Sequence, residues 1–259
     1  MGVERFNKTV LKGKRYRPDV QLSERVFANA DGLYWHSEKK KGRRYHRELR
    51  VAFEDEGLRL LQFYEDEIRD KPDIVKSIVD AILGKSPSRI YARKCEIKDI
   101  SALEANDFLV KNHLMGPCKT ARNMGLLNAG VLVHVFSYRV RKGYLEIVRS
   151  ASTINTVIVG GFQKILKACQ LKTHMRTVYT LVDLRYADGH SLEKAGFVPV
   201  KTYQQYQYTD GVNRKDKRVF RVKAGIDETQ AAADKGWYRI WDAGRRAYLL
   251  SGIYTSVNP

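Results

Sequence analysis

The stretch Ala30-Asp31-Gly32-Leu33-Tyr34-Trp35-His36-Ser37 decides how the first third of the chain is read. It brings a carboxylate, a turn, two aromatic rings and an imidazole into eight residues. Asp31-Gly32 breaks a strand, because glycine takes the positive φ that a sharp turn demands. Upstream, Tyr16 to Ala30 suits a β-hairpin containing Pro18-Asp19, with Ser23-Glu24 at its tip. Downstream, Lys39-Lys40-Lys41-Gly42-Arg43-Arg44 reads as a basic loop, either a solvated run or a phosphate-contacting arm. Tyr45, Leu49, Ala52 and Phe53 then recur at helical spacing, and Gly57 stands where a C-terminal cap belongs. Leu58 to Tyr64 is an apolar strand. Asp66 to Leu83 reads as a helix with Ile68, Ile74, Val75, Ile78, Val79 and Ile82 on its buried stripe.

In this reading Asp19, Asp31 and Glu65 fall near strand ends, and His36 and His46 frame the loop. Acids that hold a hard cation beside imidazoles that move protons are what metal-assisted phosphodiester cleavage requires. Tyr34 and Trp35 have two readings, a core one and a DNA-stacking one.

The bulk composition points the same way. The chain has 259 residues, a formal net charge of +18 and 43% hydrophobic residues. That charge favours a polyanion, with nucleic acid ahead of a membrane surface because no basic amphipathic anchor stands out, and double-stranded DNA is the expected partner. No apolar run is long enough to span a bilayer, and Met1 to Phe6 runs into Lys and Arg without an apolar leader, so a cytoplasmic location is expected. Residues 51–87 are net acidic between two basic regions, which sets an expected boundary near Lys85-Ser86-Pro87-Ser88. Cys95, Cys118 and Cys169 form no C-x-x-C pair and read as reduced thiols rather than a zinc site or nucleophile.

Pro18-Asp19, Asp31 to His36, His46 and Gly57 to Glu65 together resemble the very-short-patch-repair (Vsr-like) endonuclease fold. That fold is a branch of the restriction-endonuclease-like superfamily. The order and spacing are most similar to phage homing endonucleases of the EDxHD group. The resemblance implies a magnesium-dependent DNA endonuclease, with Asp19 and Asp31 binding Mg²⁺. It implies His36 as the base that activates water, His46 as a second acid/base or phosphate-orienting group, and Glu65 in a supporting role. Relatives carry a further glutamate on an N-terminal helix, for which Glu4 is the available candidate here.

The second module starts with a strand from Arg89 to Ile97. Ser101 and Glu104 then have capping-box spacing. Antiparallel strands follow over 123–127, 131–140 and 144–148, and Val157 to Leu166 passes from a strand to a helix through Gly160-Gly161. That glycine pair suits either phosphate binding at a helix start or close helix packing. Ser191-Leu192-Glu193-Lys194-Ala195-Gly196-Phe197 resembles a motif of the GNAT acyltransferase superfamily. The resemblance implies a GNAT-like domain, related to Mom DNA-modification proteins, that serves either acyl transfer or DNA recognition. His113, Arg149 and Asp188 are its polar candidates. Residues 155–161 lack the basic residues expected of a diphosphate-binding loop.

From Gly236 to Leu249 the tail reads as a β-hairpin with aromatic residues among Arg239, Arg245 and Arg246. These suit a nucleic-acid surface or packing on the main domain. The expected architecture is α/β (α+β), with a Vsr-like nuclease domain over 1–87, a GNAT-like domain over 88–222 and a tail over 223–259. The DNA-contacting set is Trp35, Lys39, Lys40, Lys41, Arg43, Arg44, Arg239, Arg245 and Arg246.

Overall fold

The computed structural model describes residues 9–11, 14–119, 122–221 and 227–252. Glu4 and much of the expected N-terminal arm lie outside these residues. The chain forms two compact units, neither continuous in sequence. The first comprises Met1–Lys71, Asp183–Asp188 and Thr202–Arg245, and the second Pro72–Val182, Gly189–Lys201 and Arg246–Pro259. The expected boundaries at 87/88 and 222/223 do not coincide with these divisions.

In the first unit β1 (Thr9–Leu11) pairs with β2 (Lys14–Tyr16), and β3 (Val20–Gln21) pairs antiparallel with β4 (Val26–Asp31). The turn between β3 and β4 carries Ser23-Glu24, as the hairpin pattern predicts. After α1 (Tyr45–Asp55), β5 (Arg59–Tyr64) lies parallel to β4, with Asp31 opposite Tyr64. The apolar face of α1 closes this layer. Leu49 and Phe53 pack with Phe27 and Leu60, and the Phe27 and Phe53 rings meet edge to face at 5.5 Å. Full burial of such side chains contributes roughly 1.5–3 kcal/mol each.

The helix expected over Asp66–Leu83 is in fact two, α2 (Glu65–Asp70) and α3 (Pro72–Ile82). Pro72 has no N–H to continue α2, yet its fixed φ suits the first position of α3.

In the second unit the strand expected over 89–97 also divides, into β6 (Ser88–Tyr91) and β7 (Glu96–Asp99), with a 3₁₀ turn between them. Next comes α4 (Ala102–Asn112), whose Ser101–Glu104 capping box is formed. The strands β8 (Arg122–Asn128), β9 (Val131–Arg141) and β10 (Tyr144–Ser152) form an antiparallel meander. β11 (Thr156–Val159) pairs parallel with β6 and leads into α5 (Gly161–Thr173). Then come β12 (Val178–Asp183), the short α6 (His190–Glu193) and β13 (Val198–Tyr203).

The chain returns to the first unit with β14 (Tyr206–Thr209), β15 (Arg214–Lys215), α7 (Glu228–Ala233) and β16 (Tyr238–Trp241). β17 (Arg245–Leu250) enters the large sheet, whose order is β13-β17-β12-β10-β9-β8-β7. The expected tail hairpin is therefore not formed. β16 pairs with β14, whereas β17 lies between β12 and β13. The core under the large sheet contains Leu126, Phe136, Leu145, Ile165, Leu166, Val178 and Tyr248. Among the described residues no helix is long and apolar enough to cross a membrane.

Candidate functional site

Among the described residues, two places carry site chemistry, one in each unit.

In the first unit, Asp31 ends β4, His36 sits in the loop after it, and His46 lies in the first turn of α1. His36 Nδ1 lies 2.8 Å from His46 Nε2. Asp31 Oδ1 lies 3.3 Å from His36 Nδ1, and Asp31 Oδ2 lies 3.6 Å from His46 Nε2. Asp31 and His46 are buried, and His36 is partly exposed. Burial pushes the Asp31 carboxyl up to about 8; Asp19 and Glu67 add to the rise, while Arg185 and Lys41 oppose it. Burial lowers His36 to about 4, assisted by Lys41 and opposed by Asp19. His46 falls to about 3, chiefly through burial, with His36, Arg185 and Lys41 adding to the fall and the backbone of Trp241 opposing it. All three shifts favour the uncharged forms.

The other expected members of this set are placed differently. Asp19 is exposed, and its Oδ2 accepts the Ala30 N–H at 2.7 Å. It is not one of the converging donors. Glu65 is also outside them, its Oε1 accepting the Leu33 N–H at 2.9 Å and so holding the turn after β4.

The basic loop beside this cluster is largely turned onto aromatic rings. Lys39 lies over Tyr238 and Lys41 over Tyr45, and the Arg43 guanidinium is 4.8 Å from the Trp241 ring centre. Arg44 is exposed. Arg239 pairs with Glu38 at 2.8 Å, and Arg245 and Arg246 are half-buried, Arg245 next to Asp183 and Asp242. Trp35 is 64% exposed and Tyr34 42%, which settles their two readings against the core.

In the second unit, β10 and β12 run parallel but pair only over Leu145–Ile147 and Val178–Thr180. At that point the register of β10 against β9 slips between Ile147 and Arg149, leaving Val148 as the extra residue of a bulge. Both strands continue without pairing to each other. A cavity of about 410 Å³ lies there, lined by residues that include His113, Arg149, Ser150, Phe162, Thr180 and Leu181. Arg149 is held by backbone carbonyls, donating from Nε to Gly116 and from Nη1 to Val148. His113 Nδ1 accepts the Met115 N–H. Asp188, the third expected polar residue, is in the first unit, paired with Arg59 at 2.8 Å.

Packing accounts for Gly160-Gly161. Gly160 has φ +74°, and a Cβ on Gly161 would lie 2.7 Å from Ile158 Cγ2. No sequence pattern marked the parting of β10 and β12, because it is a property of strand pairing. The run Tyr144 to Val148 is the nearest signal.

No family model matches the chain, and no curated protein matches it. Similar solved structures include the ribosomal-protein-S18-alanine N-acetyltransferase from Escherichia coli, at 12% identity and a TM-score of 0.37. It matches over 64% of this chain and 98% of its own. A Bacillus subtilis acetyltransferase in complex with CoA has 17% identity and a TM-score of 0.38 over 61% and 99%. A GNAT family acetyltransferase from Elizabethkingia anophelis with acetyl-CoA bound has 11% identity and a TM-score of 0.39 over 61% and 98%.

These neighbours correct the expectation of a magnesium-dependent endonuclease, in activity and in cofactor, since they are acetyltransferases and not phosphodiester hydrolases. They give no support to a Vsr-like, restriction-endonuclease-like N-terminal domain. The chemistry of the cluster agrees with the correction. Mg²⁺ takes oxygen ligands in near-octahedral geometry, whereas two of the three converging donors here are imidazole nitrogens. An imidazole held at about 4 is also a weak base for activating water. The protein is a mixed α/β chain.

Proposed function

We propose that the second unit is an acyltransferase taking an acyl thioester of coenzyme A in the cleft between β10 and β12. The observation that carries this reading is the parting of the two parallel strands beyond Ile147 and Thr180, with the cavity opened between them. Strand edges that separate leave backbone groups without ladder partners, so an extended chain with its own amides can add there as a short strand. A pantetheine arm is such a chain. The cavity's 410 Å³ lies within the range of roughly 300–1,000 Å³ usual for small-molecule sites. Ile147, Ile158 and Phe162 form apolar walls, and Ser150, Gln163 and Thr180 supply polar atoms for orientation.

The residues fit the acyl and pantetheine portion of the cofactor. They offer no basic side chain over 155–161 for its diphosphate, so affinity should reside in the arm. Bound there, the cofactor would supply an activated acyl carbonyl, while this chain's residues bind it, orient it and exclude water.

Titration calorimetry of the full chain with acetyl-CoA should show saturable binding. Leu181→Trp, which places an indole at the cleft lining, should weaken it at least tenfold, about 1.4 kcal/mol. A folded parent that gives no binding, or a variant that binds equally well, would remove this reading.

A second reading, duplex DNA at the loop of the first unit, is favoured by the exposed pair Tyr34 and Trp35, with Lys40 5.4 and 5.6 Å from their ring centres. Duplex retention should fall steeply with salt, and Lys40→Ala with Arg44→Ala should lower the log–log slope by about two. Retention independent of salt, or an unchanged slope, would discard it.

A further inference from the structure

The geometry points to a transition-metal site in the first unit, in which Asp31, His36 and His46 bind one zinc-class divalent ion. The ligand atoms of these residues lie within 4.8 Å of one another, and their closest approaches are 2.8, 3.3 and 3.6 Å. An ion held at about 2.0–2.1 Å by three donors, at angles between tetrahedral and octahedral, sets those donors about 2.9–3.4 Å apart. The three closest approaches bracket that spacing, the one to His36 running from Asp31 Oδ1 and the one to His46 from Asp31 Oδ2.

A second observation is the hydrogen bonding of Asp31. Its residue is 1% exposed, and neither carboxylate oxygen has a hydrogen-bond partner although two imidazole nitrogens stand nearby. The nitrogens face each other instead, an arrangement in which one must donate to the other while the carboxyl is left out. A buried polar group without a partner costs roughly 1–3 kcal/mol. One cation among the three residues gives a carboxylate oxygen of Asp31 and both facing nitrogens a ligand bond.

The donor set selects the ion. Two imidazoles and one carboxylate suit Zn²⁺, and Co²⁺ or Ni²⁺ by the same preference, over the oxygen-seeking Mg²⁺ and Ca²⁺. The elements that carry the ligands are rigid. Asp31 ends a strand paired along its length with β5, and His46 sits on α1, on the same buried face as Leu49 and Phe53 of the core. His36 alone retains solvent access, with a side chain 16% exposed, so an ion would enter past it. Three protein ligands leave a position for water or a small anion, as in catalytic rather than closed structural zinc sites. The inference does not rest on the acyl-transfer reading, which concerns other residues.

The test uses tag-free full-length protein stripped with a chelator and titrated with ZnCl₂ alone. One Zn²⁺ per chain should bind, and Co²⁺ should produce visible d–d bands that Zn²⁺ abolishes. His36→Gln should weaken Zn²⁺ more than about 100-fold, beyond what loss of an outer-shell partner costs. His174→Gln, outside the cluster, should leave it unchanged. Because His46→Ala removes a buried side chain, the Co²⁺ spectrum of the unaltered protein serves as the measurement independent of variant folding. No stoichiometric Zn²⁺, retention of full affinity by His36→Gln, or equal displacement by Mg²⁺ would overturn the assignment.

Discussion

Replacing Arg185 by methionine should destabilise the first unit by about 3–5 kcal/mol, the range for removing one partner of a buried ion pair. Arg185 is 4% exposed and donates from Nη1 to both carboxylate oxygens of Glu67, at 2.9 and 2.7 Å. Its Nη2 donates to Asp183 Oδ2 at 3.0 Å. Burial alone would raise both acids, but the charge and hydrogen bonds of Arg185, joined by Arg214 at Glu67 and by Arg245 at Asp183, outweigh it and hold both below the usual carboxylate range. Arg214 also reaches Glu67 at 2.8 Å, so Asp183 is the group left most exposed to the loss.

The sign of the pH dependence follows. Without Arg185 the folded-state pKa of both carboxyls rises, and that of Asp183 passes above its unfolded value, so protonation favours the folded variant. Its deficit should shrink as pH falls from 7 toward 5. Asp183→Asn added to Arg185→Met should recover part of the loss. Urea melts monitored by a first-unit tryptophan decide the matter. A variant within about 1 kcal/mol of the parent would show the network to be dispensable.

Gly189→Ala should cost the second unit about 2–5 kcal/mol by two effects that add. Gly189 has φ +89°, where an L side chain is strained, and a Cβ there would lie 2.0 Å from Tyr248 Oη and 2.5 Å from its Cζ. Tyr248 is fully buried in the main core, with its hydroxyl donating to Glu193 Oε1 at 3.0 Å, so the ring has no free direction in which to move. Backbone strain contributes about 1–2 kcal/mol and overpacking about 1–3.

Gly143→Ala separates the two effects. Its φ is +85°, yet nothing lies within 4 Å of the added carbon. It should lose only the backbone part. Equal melting shifts for the two variants would mean that Tyr248 accommodates the methyl group.

Local chemistry was readable along most of the chain. The capping box at Ser101, the turn at Ser23-Glu24, α1 with its Leu49 and Phe53 face, and the β8–β10 meander follow from neighbours a few residues apart. The break at Pro72 was missed, because the apolar stripe across it reads as one helix. The association of Asp31, His36 and His46 was visible as a set of residue types in order. Which ion suits them was not, because that depends on which donors converge. Asp19 looked equivalent to Asp31 in sequence, yet it is occupied by the Ala30 amide while Asp31 faces the two rings.

What the sequence determined by itself is the set of local elements, the basic charge and the pool of chemical groups. Those depend on periodicity, turn residues and composition, all short-range quantities. Tertiary structure decided the rest. It sent β16 and β17 to different sheets, parted β10 from β12, and drew residues 183–188 and 202–245 into the unit built by the N-terminal segment. It also set Arg185 against Glu67 from 118 positions away. Strand partners and buried ion pairs are chosen by which surfaces fit once the chain has collapsed, and no window of neighbouring residues contains that information.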